Sequence, residues 1–141
     1  MDRVVPHELP LAASADSVAV ARRYFEAIAV DTDLPAPVRD SGALIVSELV
    51  TNAVLHGGAP ITLRVTAMPR TLRVAVSDGS ARPPVRRRRV PGRPLSVDAG
   101  SADHGRGLAI VAGLAQQWGC EPSVQRPGKT VWCDLVVDRN G

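Results

Sequence analysis

Glu48 and Asn52 stand four residues apart in the run Ser47-Glu48-Leu49-Val50-Thr51-Asn52-Ala53-Val54-Leu55-His56-Gly57. At about 3.6 residues per turn, Glu48, Asn52 and His56 fall nearly on one line along a helix. Ser47 and Thr51 widen that line into a polar stripe, and Leu44, Ile45, Leu49, Val50, Ala53 and Val54 form the apolar remainder. A carboxylate that can accept a proton is thus held one turn from an amide oxygen that can ligate a hard cation. Phosphoryl transfer requires both parts side by side. The same pattern also describes a half-exposed helix with a solvated polar face, so the stripe does not decide the matter alone. His56, at the end of the helix, suits an interaction with the helix dipole.

Two further segments carry chemistry of a related kind. Leu72-Arg73-Val74-Ala75-Val76-Ser77-Asp78-Gly79 reads as a strand that stops at an Asp-Gly turn. His104-Gly105-Arg106-Gly107-Leu108-Ala109-Ile110-Val111 reads as a glycine loop opening into a helix. Glycines let a backbone approach a phosphate closely, and the N–H groups at a helix start favour the anion. Asp-Gly also marks ordinary turns, and Gly-x-Gly before a helix is often only a cap. Gly128-Lys129-Thr130 looks like the tail of a Walker A loop, but Ser123 stands where that loop needs its first glycine. The next residues, Val131-Trp132-Cys133-Asp134-Leu135-Val136-Val137, alternate like a strand instead of opening a helix, so the tripeptide reads as a hairpin turn.

Periodicity gives the elements that hold these residues. Val5 to Leu11 is a short edge strand interrupted by Pro6 and Pro10. Ser14 is an N-cap for a helix to about Val30, with Val18, Ala21, Phe25 and Ile28 inward. Asp31 to Pro37 is a loop, and Pro37 starts the long helix that ends at Gly57-Gly58. Ile61, Leu63 and Val65 alternate with Thr62, Arg64 and Thr66; Leu72, Val74 and Val76 alternate likewise, with Met68-Pro69-Arg70 as the turn. Gly105 to Trp118 is helical, and strands near Val124 and at Thr130–Val137 finish the chain. The order predicts an α/β two-layer sandwich, with helices on one face of a mixed, mainly antiparallel sheet.

At 141 residues and 45% hydrophobic, the chain has material for one core and a single domain. No run of 18 apolar residues is present, which excludes a spanning helix. The first residues lack the charged and apolar regions of a signal peptide, so a cytoplasmic protein is expected. Cys120 and Cys133 lie on neighbouring predicted strands; two cysteines make no framework, and reduced thiols are expected. Neither cysteines nor histidines show metal-ligand spacing. The net charge of +3 is unevenly spread: residues 79–97 hold six arginines and no acid, leaving the remainder at −3. Sixteen arginines stand against one lysine, Lys129. The Pro- and Arg-rich stretch from Ser80 to His104, including Arg86–Arg89, shows neither period and is functional or disordered.

A helix with Glu-x-x-x-Asn, a strand ending Asp-Gly, then Gly-x-Gly-Leu, then a closing strand with Thr130 resembles the GHKL superfamily. This is the histidine-kinase-like ATP-binding fold shared with gyrase. Ser-Glu-Leu-Val-Thr-Asn-Ala-Val-x-His-Gly, Val-Ser-Asp-Gly-Ser, Gly-Arg-Gly-Leu and Trp118-Gly119 before Gly128-Lys129-Thr130-Val131-Trp132 are similar to the anti-sigma-factor serine/threonine kinases of actinobacterial type. One box departs: where the superfamily reads Asp-x-Gly-x-Gly, this chain has Asp78-Gly79-Ser80-Ala81-Arg82-Pro83-Pro84.

The resemblance implies ATP and Mg²⁺ as cofactors. By it, Glu48 is the catalytic base, Asn52 the metal ligand, and Asp78 with Gly79 the adenine contact, with Thr130 nearby. Gly105, Arg106, Gly107 and Leu108 would close on the phosphates, and residues 79–104 would form an ATP lid. It also implies an anti-sigma-factor antagonist as substrate and a sigma factor as partner, and is compatible with a homodimer. Two alternatives compete. A non-catalytic switch would use ATP only to gate protein binding, as the altered glycine box allows. A nucleic-acid contact through Arg86–Arg89 is disfavoured by an aromatic content of 3% and by the absence of a DNA-binding helix motif.

Overall fold

Alternation of apolar and polar residues along the strands leaves each with one face to bury, and antiparallel pairing answers that need with a one-sided sheet. The computed structural model describes residues 5–80, 115–123 and 127–138. Its strands are β1 (Val5–Leu11), β2 (Ile61–Ala67), β3 (Thr71–Asp78), β4 (Gln117–Pro122) and β5 (Lys129–Val136), in spatial order β1-β2-β3-β5-β4. Every described pairing is antiparallel, so no parallel component of a mixed sheet occurs among the described strands. β1 lies at one edge, where its two prolines are tolerated.

Helices α1 (Asp16–Asp31) and α2 (Ala36–Asn52) pack against each other and cover one face. Phe25 and Ile28 from α1, and Ile45, Val46, Leu49 and Val50 from α2, meet Leu63, Val65, Leu72, Val74, Val76, Val131, Cys133 and Leu135 from the sheet. Phe25 is fully enclosed, and its ring lies against Gly42, where any side chain would collide with it. The bare α2 backbone at that point is what lets the two helices approach. α2 has a proline in its first turn, as expected for Pro37.

Three local expectations are corrected. Ser14 does not cap α1: the N-cap is Ala15, and no side chain caps the helix. Ser14 instead accepts a hydrogen bond at its carbonyl from the Ser17 amide, while the Ser17 hydroxyl donates to the Ala12 carbonyl at 2.6 Å. The helix expected to run to Trp118 does not reach that far. Gln117 and Trp118 already belong to β4, because Trp118 pairs with Cys133 across the sheet edge. Lastly, α2 does not continue as an α-helix to Gly57. Ala53–Gly57 winds as a π turn, closed by the Gly58 amide donating to the Ala53 carbonyl at 2.9 Å.

On the open face of the sheet, Arg73 and Asp134 form a two-bonded pair at 2.7 and 2.9 Å, and Gln117 donates to the same carboxylate at 3.0 Å. The guanidinium also lies 4.4 Å from the Trp132 ring centroid. The Arg73 hydrogen bonds hold the Asp134 carboxyl below the usual carboxylate range. This cluster spans β3, β5 and β4, and so fastens the edge strand to the centre of the sheet. Cys120 and Cys133 are not joined by a disulfide; they stand at diagonal positions, with Cys120 opposite Val131.

Candidate functional site: the end of α2 and the end of β3

Glu48 and Asn52 occupy the last two turns of α2, both half-buried. Burial raises the Glu48 carboxyl above its ordinary range, because losing water disfavours the charged form. A carboxylate made more basic in this way is better suited to accept a proton. Asn52 Oδ1 is buried and accepts no hydrogen bond among the described residues. Leaving such an atom unsatisfied costs about 1–3 kcal/mol, so its retention calls for an explanation. An amide oxygen awaiting a donor or a hard cation fits magnesium, which is commonly held by one or two protein oxygens plus substrate phosphates. Among the described residues no group of three or more His, Cys, Asp or Glu side chains could hold a metal.

Beyond Asn52, the π turn sets the course of the chain. Widening of the helix carries Gly57 onto the carboxylate of Asp78, so closely that a Cβ at Gly57 would overlap the acid. π turns inside helices frequently mark functional sites, and this one joins the α2 stripe to the end of β3. The junction is tied by the Gly79 amide, which donates to the Gly58 carbonyl at 3.0 Å. Gly128, at φ +147, closes the other side, packed against the Asp78 carbonyl. A side chain at Gly128 would meet both backbone strain and that carbonyl. His56 lies in the last turn, as expected from its position.

Asp78 is therefore enclosed, and it is not alone. Lys129 Nζ lies 3.0 Å from Asp78 Oδ1 and 2.9 Å from Oδ2, with the two side chains 6% and 3% exposed. The Ser80 amide donates to Oδ1 at 2.9 Å. Cross-strand register explains the pair: Asp78 is directly opposite Lys129 in the β3–β5 ladder, on the face that the helices cover. In the sequence, Lys129 reads only as part of a turn. The available signal is its standing as the one lysine of the chain, placed where β5 begins.

Thr130 is not brought together with Asp78. It is opposite Ser77, one residue out of phase, and their hydroxyl oxygens are 2.9 Å apart on the open face. Consecutive strand residues point to opposite faces, so the Thr130 side chain is directed away from Glu48 and Asn52. The open face carries a shallow groove of about 900 Å³ bordered by Thr62, Arg64, Arg73, Ser77, Thr130 and Trp132. Asp78 borders it only from the strand end, while its carboxylate is engaged on the helix side. Among the described residues no orphaned ligand atom belongs to that groove. The sequence-predicted residues Glu48, Asn52 and Asp78 belong instead to the end of α2 and the helix-side end of β3, which the π turn joins. Gly105, Arg106, Gly107 and Leu108, like Arg86–Arg89 and most of residues 79–104, lie outside the described residues.

No helix among the described residues is long and apolar enough to cross a membrane. Comparison with curated proteins gives no match. Among solved structures, the chain is similar to the RsbU and RsbW domains of Rv1364c from Mycobacterium tuberculosis. The TM-score is 0.69 and the identity 16%, over 97% of this chain and 34% of that one. The chain thus spans about a third of that protein's length, and at this identity the likeness is one of fold. Residues 11–133, from the end of β1 through most of β5, match the histidine kinase-like ATPase domain. Taken with an antiparallel sheet and a Glu-x-x-x-Asn helix packed on its covered face, that match means that the chain belongs to the histidine kinase-like ATPase domain family.

Proposed function

We propose that the protein is an ATP- and Mg²⁺-dependent serine/threonine protein kinase of the anti-sigma-factor type. Its substrate would be an anti-sigma-factor antagonist, its regulatory partner a sigma factor, and its setting the cytoplasm. Support comes from family membership, from the motifs shared with those kinases, and from the fold likeness to a structure that includes an RsbW domain. The observation that carries the reading is the orphaned Asn52 Oδ1, one helical turn from a carboxylate of raised proton affinity.

The chemistry assigns each group one task. Glu48 accepts the proton of the acceptor serine hydroxyl as its oxygen bonds to the γ-phosphorus and the bond from that phosphorus to ADP breaks. A well-placed base is worth about 10²–10⁴ in rate. A magnesium ion held through Asn52 Oδ1 would supply positive charge against the phosphates. Asp78 accepts from the exocyclic amine of adenine, and Gly79 holds that end of β3 to the loop after α2. Gly105, Arg106, Gly107 and Leu108 complete the phosphate contacts in this proposal.

An ATP-gated switch without transfer would need no base at Glu48. The test is incubation of the purified protein with labelled ATP and candidate antagonist proteins. Label should pass to a serine or threonine of one antagonist, and Glu48→Gln should abolish transfer while still binding ATP. Tight ATP binding with no transfer to any antagonist would select the switch.

A further inference from the structure

The helices cover one face of the sheet, and strand register sorts the side chains of the other face into level rows. One row runs Glu8, Arg64, Ala75, Trp132, Gly119, and the next sets Arg73 beside Asp134. Relief along the first row alternates. The Trp132 ring, with the Arg73 guanidinium 4.4 Å from its centroid, makes a ridge. Ala75, directly opposite Trp132 on β3, floors the groove between that ridge and Arg64. On the far side of Trp132 stands Gly119, where a side chain would meet the ring. Charge alternates too, since Arg73 and Asp134 are cross-strand neighbours, and the one lysine of the chain faces the helices. Protein interfaces are enriched in arginine, tryptophan and methionine and depleted of lysine. Arg64, Arg73, Trp132 and Met68 all border this groove.

The rows are complementary to themselves, and we infer that a second copy of this chain docks on the open face. A two-fold axis parallel to the strands and passing between β3 and β5 sets β3 of each copy over β5 of the other. Trp132 of each copy then enters the hollow over Ala75 of the other, and Arg64 of each lies across the bare Gly119 position. In the next row Arg73 of each copy faces Asp134 of the other, so charges of opposite sign meet. An axis along β3 would instead set Arg73 against Arg73, which repel. Four overlapping strands about 4.8 Å apart and about 23 Å long give a footprint of roughly 450 Å² per copy. That is the size of a reversible pair rather than of an obligate one. The same patch is used by both copies, so assembly stops at two. Helix α2, with Glu48 and Asn52, lies on the outer side of each copy.

The test is sedimentation velocity of the nucleotide-free protein across a dilution series from high to low micromolar. Wild type should pass from dimer to monomer on dilution, and its tryptophan emission should move to the red as Trp132 regains water. Ala75→Arg fills the hollow from the open side of β3, so it should stay monomeric throughout while keeping its far-ultraviolet spectrum. Trp132→Thr, which removes the ridge, should also stay monomeric. Val20→Arg, on the exposed surface of α1, should pair like wild type. A wild type that is monomeric at every concentration overturns the inference. Pairing undiminished in both Ala75→Arg and Trp132→Thr, or lost equally in Val20→Arg, overturns the choice of face. Emission that stays constant while the dimer dissociates overturns the placement of Trp132. No nucleotide is present, so the kinase reading stands or falls apart from these outcomes.

Discussion

Lys129 Nζ lies 2.9 Å from Asp78 Oδ2, both side chains buried at directly opposed positions of β5 and β3. The pair stands where the end of the sheet, the π turn after α2 and the hairpin before β5 converge. Its members are 51 residues apart in sequence, so the contact also holds the closing strand to the first half of the fold.

Removing one partner leaves a buried charge uncompensated, a change that costs about 3–5 kcal/mol. Asp78→Ala should lose stability of that order in urea unfolding, a large share of the total for a domain of this size. Replacing both partners by apolar residues, Asp78→Leu with Lys129→Met, should recover most of the loss. A single variant that unfolds within about 1 kcal/mol of wild type would show that the pair is solvated.

Glu48 and Asn52 should be costly to the unliganded fold. The folded-state pKa of Glu48 is raised, so its contribution to stability is present below the unfolded value and lost as pH rises through the folded one. At neutral pH the ionised group is therefore a burden, and Glu48→Gln should raise Tm. The group is partly exposed, so the gain should be no more than about 4 °C. Asn52→Leu should act in the same direction by deleting an unsatisfied oxygen. Both gains should appear without nucleotide, and both variants should lose phosphoryl transfer. The rate of wild-type transfer should fall on the acid side at a pH above the ordinary glutamate value. Calorimetric scans showing Glu48→Gln less stable than wild type would contradict the burial cost assigned to the Glu48 carboxylate.

The two thiols should differ sharply. Desolvation pushes Cys133 up to about 12, and its side chain is wholly enclosed in the core. Only the thiolate reacts, so native Cys133 should resist alkylation at about pH 8 while half-buried Cys120 is modified first. Peptide mapping after brief iodoacetamide treatment distinguishes them. Equal labelling would mean that β4 and β5 open together.

Much of this arrangement was legible in the chain, and the limits have physical causes. The α2 stripe was readable because Glu48 and Asn52 fall within regular α winding. The line stops there because the winding widens into the π turn, a change that no residue pattern announces. β1 read as a short edge strand broken by its prolines, and strand alternation revealed β2, β3 and β5, whose buried positions are mainly apolar. It did not reveal the partner of Asp78, since strand register determines which residue of Gly128-Lys129-Thr130 faces the helices, and a shift by one exchanges Lys129 for Thr130. The expected helix through Trp118 failed for a related reason: Trp118 and Gly119 pair with Cys133 and Trp132 on β5, a long-range contact that local periodicity does not contain. Ser14 had the right chemistry for a cap, but the chain reaches α1 through a turn in which Ser17 makes the side-chain bond.

Titration of the purified protein with ATP, with and without magnesium, tests the central claim most directly. Wild type should bind ATP at or below millimolar concentration and bind it more tightly with magnesium. Asn52→Ala should abolish the magnesium effect, because the buried, unpaired Oδ1 is the proposed magnesium ligand. Absence of ATP binding at millimolar nucleotide, or a magnesium effect undiminished in Asn52→Ala, would contradict it.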